Sequence, residues 1–263
     1  MMKNFNTLYL IFAILSGLIL LFIIAPLLGM FFLTSGKDII ETVKDTEVTD
    51  SIWLTIRTSM LGTLLFSVGV VPLAYVLSRK KFYSRKLIIG ILNLPVVIPH
   101  TAAGIALLGV LSRDTISGSI AEKLGFSFIN SSAGIMLAMA FVSLPYLLTA
   151  AIDGFNAVPV RFEKAAMNLG ASHFRTFFTI TLPLAWRPIF SGLIMMWARG
   201  MSEFGAVIII AYHPMTTPVM IFERFNSYGL QYARPVAIIF IVICLILFIV
   251  LRFFSRNKID ARN

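Results

Sequence analysis

Long apolar runs recur along this chain of 263 residues, and no other feature of the sequence constrains its fold as strongly. A run of about 20 apolar residues is the length that an α-helix needs to cross a bilayer. The runs are continuous and lack the alternation of apolar and polar residues that is typical of barrel strands. Only 13% of the residues are charged, which is roughly half the fraction of an average soluble domain. The sequence therefore predicts an all-α integral membrane protein.

Six membrane spans are predicted, separated by five connections. The first run, from Leu8 to Leu33, is too long for the apolar core of a cleaved signal peptide, and no A-x-A-like site follows it. It is therefore expected to remain as a membrane helix. The last span has no charged residue from 235 to 251 and is expected to face lipid. The six predicted spans are 8–33, 51–78, 87–111, 134–152, 188–212 and 235–254.

Lysine and arginine are distributed unevenly between the two sides that these spans define. Basic residues accumulate in the cytoplasmic segments of membrane proteins, so the side with fourteen of them is predicted to be cytoplasmic and the side with six extracytoplasmic. Both termini of this multi-pass cell-membrane protein are then cytoplasmic, and the acidic connection 34–50 faces outward. The same asymmetry explains the net charge of +10 without a nucleic-acid partner. The fourteen are Lys3, Arg79, Lys80, Lys81, Arg85, Lys86, Arg161, Lys164, Arg175, Arg187, Arg252, Arg256, Lys258 and Arg262, and the six are Lys37, Lys44, Arg113, Lys123, Arg224 and Arg234.

Residues that carry catalysis or bind metals are sparse. The chain has a single cysteine, Cys244, and its three histidines (His100, His173 and His213) are widely spaced, so no metal site is predicted. No GxxxxGK[ST] segment is present, so the chain is not itself an ATPase and is expected to hold no cofactor. Glu203 is the only acid near the centre of a span, which leaves an intramembrane enzyme without a catalytic pair. A transport component, not an enzyme, is the prediction.

The span 188–212 carries two charges, Arg199 and Glu203, near its centre. Each such charge costs roughly 2.5–3.5 kcal/mol at the middle of a membrane helix, whereas each Leu, Ile, Phe or Val returns only about 0.3–0.6 kcal/mol. The two side chains are four residues apart and can pair on one helix face, against partner helices or a wet cavity. Two interpretations stay open for this group, which includes Ser202: an ion pair that locks the helix bundle, or a direct place in the path of an anion.

A broken helix is predicted where Pro95 and Pro99 interrupt the span 87–111, since each removes a backbone hydrogen bond. Such a break is tolerated at membrane depth only beside protein or water. His100 and Thr101 follow the break, where donors can face an anion; alternatively His100 bonds a neighbouring carbonyl at a kink. Arg57, near the outer end of its span, is expected to extend outward or to steer an incoming anion.

The connection 153–187 is long and amphipathic, although a few residues would suffice to join two helices. Pro159 is suited to open a helix, Gly170 to end it in a left-handed conformation, and Ser172 to cap a second helix that stops at Pro183. The pair of helices either lies on the lipid surface or inserts into a soluble partner, with aromatic residues as anchors. Its predicted apolar faces are Phe162, Ala165, Ala166 and Leu169 in the first helix, and Phe174, Phe177 and Phe178 in the second.

This connection resembles the cytoplasmic signature of ABC importer permeases, in which EAA is followed after three residues by Gly, after nine more by Ile, and after one more by Leu-Pro. Here the pattern appears as Lys164-Ala165-Ala166, Gly170, Ile180 and Leu182-Pro183. Lys164 stands where the motif has its acid, and Glu163 comes one residue earlier. The resemblance implies a loop that couples to an ATPase, with the candidate residues Glu163, Lys164, Ala165, Ala166, Gly170, Ala171, Ser172, Phe174, Leu182 and Pro183.

Three other segments are similar to the molybdate/tungstate branch of these permeases, close to the sulfate permeases. They read GVVPLAYVLSRKKF (69–82), LPVVIPHTAAGIALL (94–108) and WARGMSEFGAVIIIAY (197–212). The resemblance implies a type I ABC importer permease fold. It also implies three regions: an N-terminal helix with an acidic loop (1–50), a permease domain (51–254) and a cytoplasmic tail (255–263).

The partners that this resemblance implies are a second copy of the chain, two cytoplasmic ATPase subunits and an extracytoplasmic oxyanion-binding protein. The outward connections 112–133 and 213–234 are candidates to dock that protein, and the second is predicted to be partly helical. A sulfate/thiosulfate permease is the nearest alternative, because all these substrates are tetrahedral dianions. An ATP-independent secondary anion transporter or channel is the alternative of another class, and it leaves the connection 153–187 unexplained.

Overall fold

A computed structural model describes residues 7–256, which are almost entirely helical and contain no strand. Lys3 and residues 257–263 of the predicted tail lie outside the described residues, and the last helix continues past residue 254. The helices are α1 (Thr7–Phe32), α2 (Gly36–Lys44), α3 (Thr46–Arg79), α4 (Arg85–Val97), α5 (His100–Leu111), α6 (Ile116–Lys123), α7 (Ser132–Ala157), α8 (Val160–Asn168), α9 (His173–Thr176), a π-helical turn (Phe177–Thr181), α10 (Leu182–Met201), α11 (Gly205–Ile210), α12 (Thr217–Tyr228) and α13 (Leu230–Arg256).

By length and composition the helices provide five membrane spans, or six if the bent pair α4 and α5 counts as one, in agreement with the six predicted. Five helical segments are long and apolar enough to span a bilayer: α1, α3, α7, the segment from α9 through α10, and α13. The sixth is the pair α4 and α5, which pass the same test together but are bent by 114° at the break between them. Pro99 lies at this break, at the N-cap of α5, where a missing N–H removes no helical hydrogen bond. The predicted break is thus confirmed at Pro99, but the prediction that Pro95 also interrupts the span is wrong, because Pro95 is buried inside α4.

The fifth span differs from its prediction at both ends. It was predicted to begin at Pro188, but α10 begins at Leu182 and continues through that proline. A β-carbon on Gly154 of α7 would lie only 3.0 Å from the Pro188 Cβ, so the proline packs closely against α7, which offsets its lost backbone hydrogen bond. At the other end α10 stops at Met201, and helical structure resumes only at Gly205, in α11.

Two hydrogen bonds show which helix ends lie together. Arg79, the last residue of α3, donates to the carbonyl of Phe155 near the end of α7, so the α8–α9 region lies at this end, which we call the basic end. Arg234, in the first turn of α13, donates to the carbonyl of Leu33 just after α1. This opposite end carries the connection 34–50, and we call it the acidic end.

α7 is the central helix of the bundle and lies between α3 and α10. In its most apolar stretch of 18 residues, 61% is buried, whereas 0% of the corresponding stretch of α1 is buried. Gly192 of α10 allows close approach, since a β-carbon there would lie 2.7 Å from the Ala150 Cβ of α7. One side of α13 packs on Trp197 and Met201. The prediction that the last span faces lipid is therefore wrong for that side, because the neighbouring helices offer an apolar surface to it.

The outward connections are partly helical. The connection 112–133 contains α6, and 213–234 contains α12, which confirms the predicted helical content of the second. The backbone N–H of Thr217 donates to the Thr55 hydroxyl at 2.8 Å, and Ser51 lies beside them. These contacts attach the start of α12 to α3 at the acidic end.

Candidate functional site

A helical elbow, residues 159–183, protrudes at the basic end. Pro159 precedes its first helix, and Gly170 has a φ of +87°, the left-handed conformation that ends a helix. The Ser172 hydroxyl then accepts a hydrogen bond from the N–H of Arg175 at 3.2 Å, which caps α9. The predicted sequence of helix, bend and second helix is confirmed.

Large apolar side chains of the elbow point away from the bundle. Leu169 is 90% exposed and Phe174 is 75% exposed. Phe177, however, turns inward, with its ring centroid 4.9 Å from that of Tyr75. The Phe178 ring centroid lies 4.6 Å from that of Phe174 and 4.9 Å from that of Phe177, so the predicted second apolar face is present, with Phe177 at its inner edge. The exposed apolar residues are Phe162, Leu169, Phe174 and Phe178.

The second arm of the elbow does not end before the membrane. α9, the π-helical turn and α10 follow one another without a break, so this arm is the beginning of the fifth span. Pro183 was predicted to stop the second helix, but the helical segment continues through it, and Pro183 stands in the first turn of α10. Ile180 and Leu182 are half-buried on the same segment. A movement of the elbow would therefore pass directly into α10.

The motif residues of α8 divide between two environments. Lys164 and Ala165 are exposed, whereas Ala166 and Ala171 are half-buried beside the bend. Glu163 is only 5% exposed and faces the bundle. Glu163, one residue before the first position of the motif, is therefore directed inward, whereas Lys164, at that first position, is exposed to solvent.

Glu163 is held by an ion pair with Arg79 that we call the Arg79–Glu163 clamp. The Nε and Nη2 atoms of Arg79 donate to Oε1 of Glu163 at 2.9 and 2.7 Å. The same oxygen accepts from the Thr181 hydroxyl at 3.0 Å, and Oε2 accepts from the Tyr75 hydroxyl at 3.4 Å. Sequence reasoning treated Arg79 only as a membrane-flanking charge. Nothing in the sequence around Glu163 or Arg79 identifies the other as its partner.

A second polar cluster lies inside the bundle and includes the predicted pair of Arg199 and Glu203. Nη2 of Arg199 lies 2.8 Å from Oε2 of Glu203, and His100 Nδ1 lies 3.2 Å from the same oxygen. The other carboxylate oxygen accepts from the N–H of Ala206 at 2.9 Å. Glu203 is fully buried. Its charge is therefore compensated by a cation, a helix N–H and an imidazole, as a buried carboxylate requires.

This central cluster joins the two interrupted spans. His100 begins α5 directly after the first break, and Glu203 lies in the second break, between α10 and α11. Arg199 Nη2 also lies 2.9 Å from His100 Nδ1, and its Nη1 donates to the Ser202 hydroxyl at 3.3 Å. His100 thus contacts side chains of another span instead of a neighbouring carbonyl. Because the buried carboxylate neutralises Arg199, the geometry favours the bundle-locking interpretation. Ser202 and Thr101 are exposed beside it.

Arg57 lies in an open groove at the acidic end. Its guanidinium carbon is 5.2 Å from the ring centroid of Trp53, and both side chains are exposed. Glu47 and Asp50 line the same groove. Among residues 7–256, no group of three or more His, Cys, Asp or Glu side chains is placed to hold a metal ion.

Six apolar spans, two of them interrupted, and a protruding elbow at one end define a multi-pass helical membrane protein. One chain of a bacterial ABC transporter that imports the acidic polysaccharide alginate has the same fold, with a TM-score of 0.74 at 18% identity over 96% of both chains. The sequence comparison is more specific. Residues 70–262 match the model of the binding-protein-dependent transport system inner membrane component, and the chain belongs to that family.

Relatives within the family cover almost the whole chain. The molybdate/tungstate transport system permease protein WtpB of Thermococcus kodakarensis is 39% identical over 260 residues, which are 98% of this chain and 99% of the relative. The protein of the same name from Pyrococcus furiosus is 41% identical over 244 residues, 92% of each chain. Similarity at this level, over matched full lengths, confirms the resemblance that the sequence motifs indicated.

Proposed function

We propose that this chain is the membrane-spanning permease subunit of an ATP-driven importer of molybdate or tungstate. The names of its full-length relatives support this substrate class. Two copies of the chain would form the pathway, and ATP would bind and be hydrolysed on separate ATPase subunits, so the chain itself would need no cofactor. An extracytoplasmic protein would deliver the oxyanion at the acidic end, with the connections 112–133 and 213–234 as candidate docking segments.

We place the basic end in the cytoplasm, with both termini, because basic residues concentrate there. The elbow would then face the ATPase subunit. The single observation that carries the coupling role is that the elbow exposes Leu169 and Phe174 while its inner side is fixed to the bundle by buried polar contacts. Aromatic and aliphatic side chains that project from a rigid support are the usual anchors of a protein interface. An elbow that merely lay on lipid would not need the rigid inner attachment.

Purification of the tagged chain from its own membrane tests this function. We expect an ATPase subunit and an oxyanion-binding protein to co-purify, and the reconstituted complex to take up molybdate only when ATP is supplied. Uptake by the chain alone, without ATP, would instead identify a secondary transporter or channel. A preference for sulfate over molybdate would favour the sulfate/thiosulfate alternative.

The coupling role of the elbow is tested by Gly170→Leu, with Gly125→Leu as a matched control. Both glycines have positive φ values, +87° and +83°, and a β-carbon at either would meet no atom within 4 Å. The backbone strain of each substitution is therefore similar, roughly 1–2 kcal/mol. We expect Gly170→Leu to prevent co-purification of the ATPase subunit and Gly125→Leu, in the outward connection, to preserve it. Equal recovery of the ATPase subunit with both variants would refute the coupling role.

A further inference from the structure

Arg79 joins the ends of two membrane helices to the elbow. Besides its contacts with Glu163, its Nη1 donates to the carbonyl of Phe155 at 2.8 Å and its Nη2 to the carbonyl of Val158 at 3.1 Å. Both carbonyls belong to the end of α7, where backbone acceptors lack helical partners. One guanidinium therefore ties the end of α3, the end of α7 and the first turns of α8 together. The planar, multiply donating shape of arginine suits such a junction, and lysine could not reproduce it.

Glu163 extends this junction to the start of the fifth span. Thr181, which donates to its carboxylate, is fully buried in the π-helical turn that leads into α10. The side chains of Arg79 and Glu163 are only 11% and 7% exposed. In such a dry setting each charge depends on its partner, because removal of one leaves the other buried and unpaired. A junction in which only one of the two charges is present is therefore strongly disfavoured.

Three aromatic rings pack beside the junction. The Tyr75 ring centroid lies 5.4 Å from that of Phe155 and 4.9 Å from that of Phe177, in edge-to-face arrangements, which are favourable geometries for aromatic pairs. These three rings belong to α3, α7 and the π-helical turn. α3, α7 and the π-helical turn, which meet at the clamp, are thus also held together by contacts between aromatic rings.

We propose that Arg79 and Glu163 are positioning residues that transmit displacement of the elbow to α3. The inference rests on the proposed function, because it presumes that an ATPase moves the elbow. α7 and α10 are connected to the elbow through the chain itself, but α3 is not: Arg79 and Glu163 are 84 residues apart in sequence. With the clamp closed, α3, α7, α8 and α10 move as one body at the basic end. When the clamp is open, α8 moves without displacing α3.

The test uses the complete complex, purified with its ATPase and binding protein and reconstituted in proteoliposomes with molybdate. Glu163→Gln keeps the size of the side chain and removes its charge. A hydrogen bond between charged groups contributes enough to shift a two-state equilibrium about tenfold, so we expect molybdate transported per ATP hydrolysed to fall about tenfold. Asp45→Asn is the control, since it removes the half-buried ion pair with Arg224 at the acidic end and retains an N-cap residue. Its coupling ratio should equal that of the wild type.

A second variant covers the case in which Glu163→Gln does not assemble. Thr181→Val removes one buried donor to Glu163 and leaves the ion pair in place. The loss of one hydrogen bond to the carboxylate, worth about tenfold in an equilibrium, should lower the coupling ratio by up to about that factor. A wild-type ratio in every assembled clamp variant would overturn the inference while the proposed function stands. A wild-type complex that needs no ATP for uptake would refute the proposed function, and the inference with it.

A distance measurement separates transmission from mere stabilisation. Spin labels at Asn168→Cys and Lys81→Cys, both exposed, report the separation of the elbow from the end of α3 after Cys244→Ala has removed the native thiol. We expect this distance to stay constant between nucleotide-free and ATP-bound complexes of the wild type, and to differ between the two states in Thr181→Val or Glu163→Gln. A distance that changes equally in wild type and variants would overturn the inference.

Discussion

The contact between α5 and α11 is tight enough to predict the effect of a single methyl group. A β-carbon on Gly205 would lie 2.7 Å from the Cβ of His100 and 3.2 Å from the N atom of Thr101. Real β-carbons do not approach other atoms to 2.7 Å, so Gly205→Ala must separate the two helices near the central cluster. Overpacking of this kind in a close-packed interior costs about 1–3 kcal/mol. Separation there also moves His100 away from Arg199 and Glu203.

Gly200→Ala is the matched control, since it adds the same methyl group five residues earlier. Its β-carbon would meet Ser59 Cβ at 3.5 Å and Met139 Cβ at 3.7 Å, which are ordinary contacts. Alanine is favoured over glycine within a helix by up to about 1 kcal/mol. We therefore expect Gly200→Ala to leave the free energy of unfolding unchanged or slightly raised, and Gly205→Ala to lower it.

The assay is unfolding of the purified protein in detergent micelles, followed by circular dichroism. The decisive comparison adds His100→Gly, which removes the clashing atom. If the distance argument is right, Gly205→Ala costs less in that background than in the wild type, a non-additivity expected of residues in direct contact. Equal stability of Gly205→Ala and Gly200→Ala, within about 0.5 kcal/mol, would refute the reasoning.

Three further predictions concern charges and the exposed surface. Glu203→Gln leaves Arg199 buried without its anion and should cost about 3–5 kcal/mol in the same unfolding assay. Phe174→Ala should weaken co-purification of the ATPase subunit while changing the unfolding free energy by less than about 0.5 kcal/mol, because the ring is exposed. Burial raises the pKa of Asp45, but hydrogen bonds from Arg224 and from backbone amides outweigh it and hold the pKa below its ordinary value. The stabilisation is then present above the unfolded pKa, near about 4, and is lost as the pH falls through the lower folded value. Asp45→Asn should make the decline in stability at acid pH smaller.

Local features of the sequence were sufficient to predict several parts of the structure. The conformation of Gly170 and the cap at Ser172 depend on a few neighbouring residues, and both are confirmed. The pairing of Arg199 with Glu203, four residues later, was also predicted correctly, although Glu203 lies just beyond the end of α10. The six passages follow from the length of the apolar runs. Each of these depends on contacts within one or two turns, which the order of residues determines directly.

Contacts between distant segments could not be predicted in the same way. His100 meets Arg199 across 99 residues of sequence, and nothing in either segment identifies the other as its partner. Arg79 carries the same charge as the neighbouring Lys80 and Lys81, so composition alone does not distinguish a structural arginine from membrane-flanking lysines. Only the packing of α3 against α7 brings it to Glu163.

The π-helical turn at Phe177–Thr181 affects how the length of this segment can vary. A helix advances about 1.5 Å and rotates about 100° with each residue, and a π-helical turn accommodates roughly one residue more than the α-helix around it. Deletion of a single residue from this turn would therefore restore a regular helix and leave the residues before it in nearly the same orientation relative to α10. A deletion in the regular helix on either side of the turn would instead rotate Phe174 by about 100° about the helix axis. The π-helical turn is thus the one place between the bend and the membrane where the chain can lose a residue and keep the direction of the elbow.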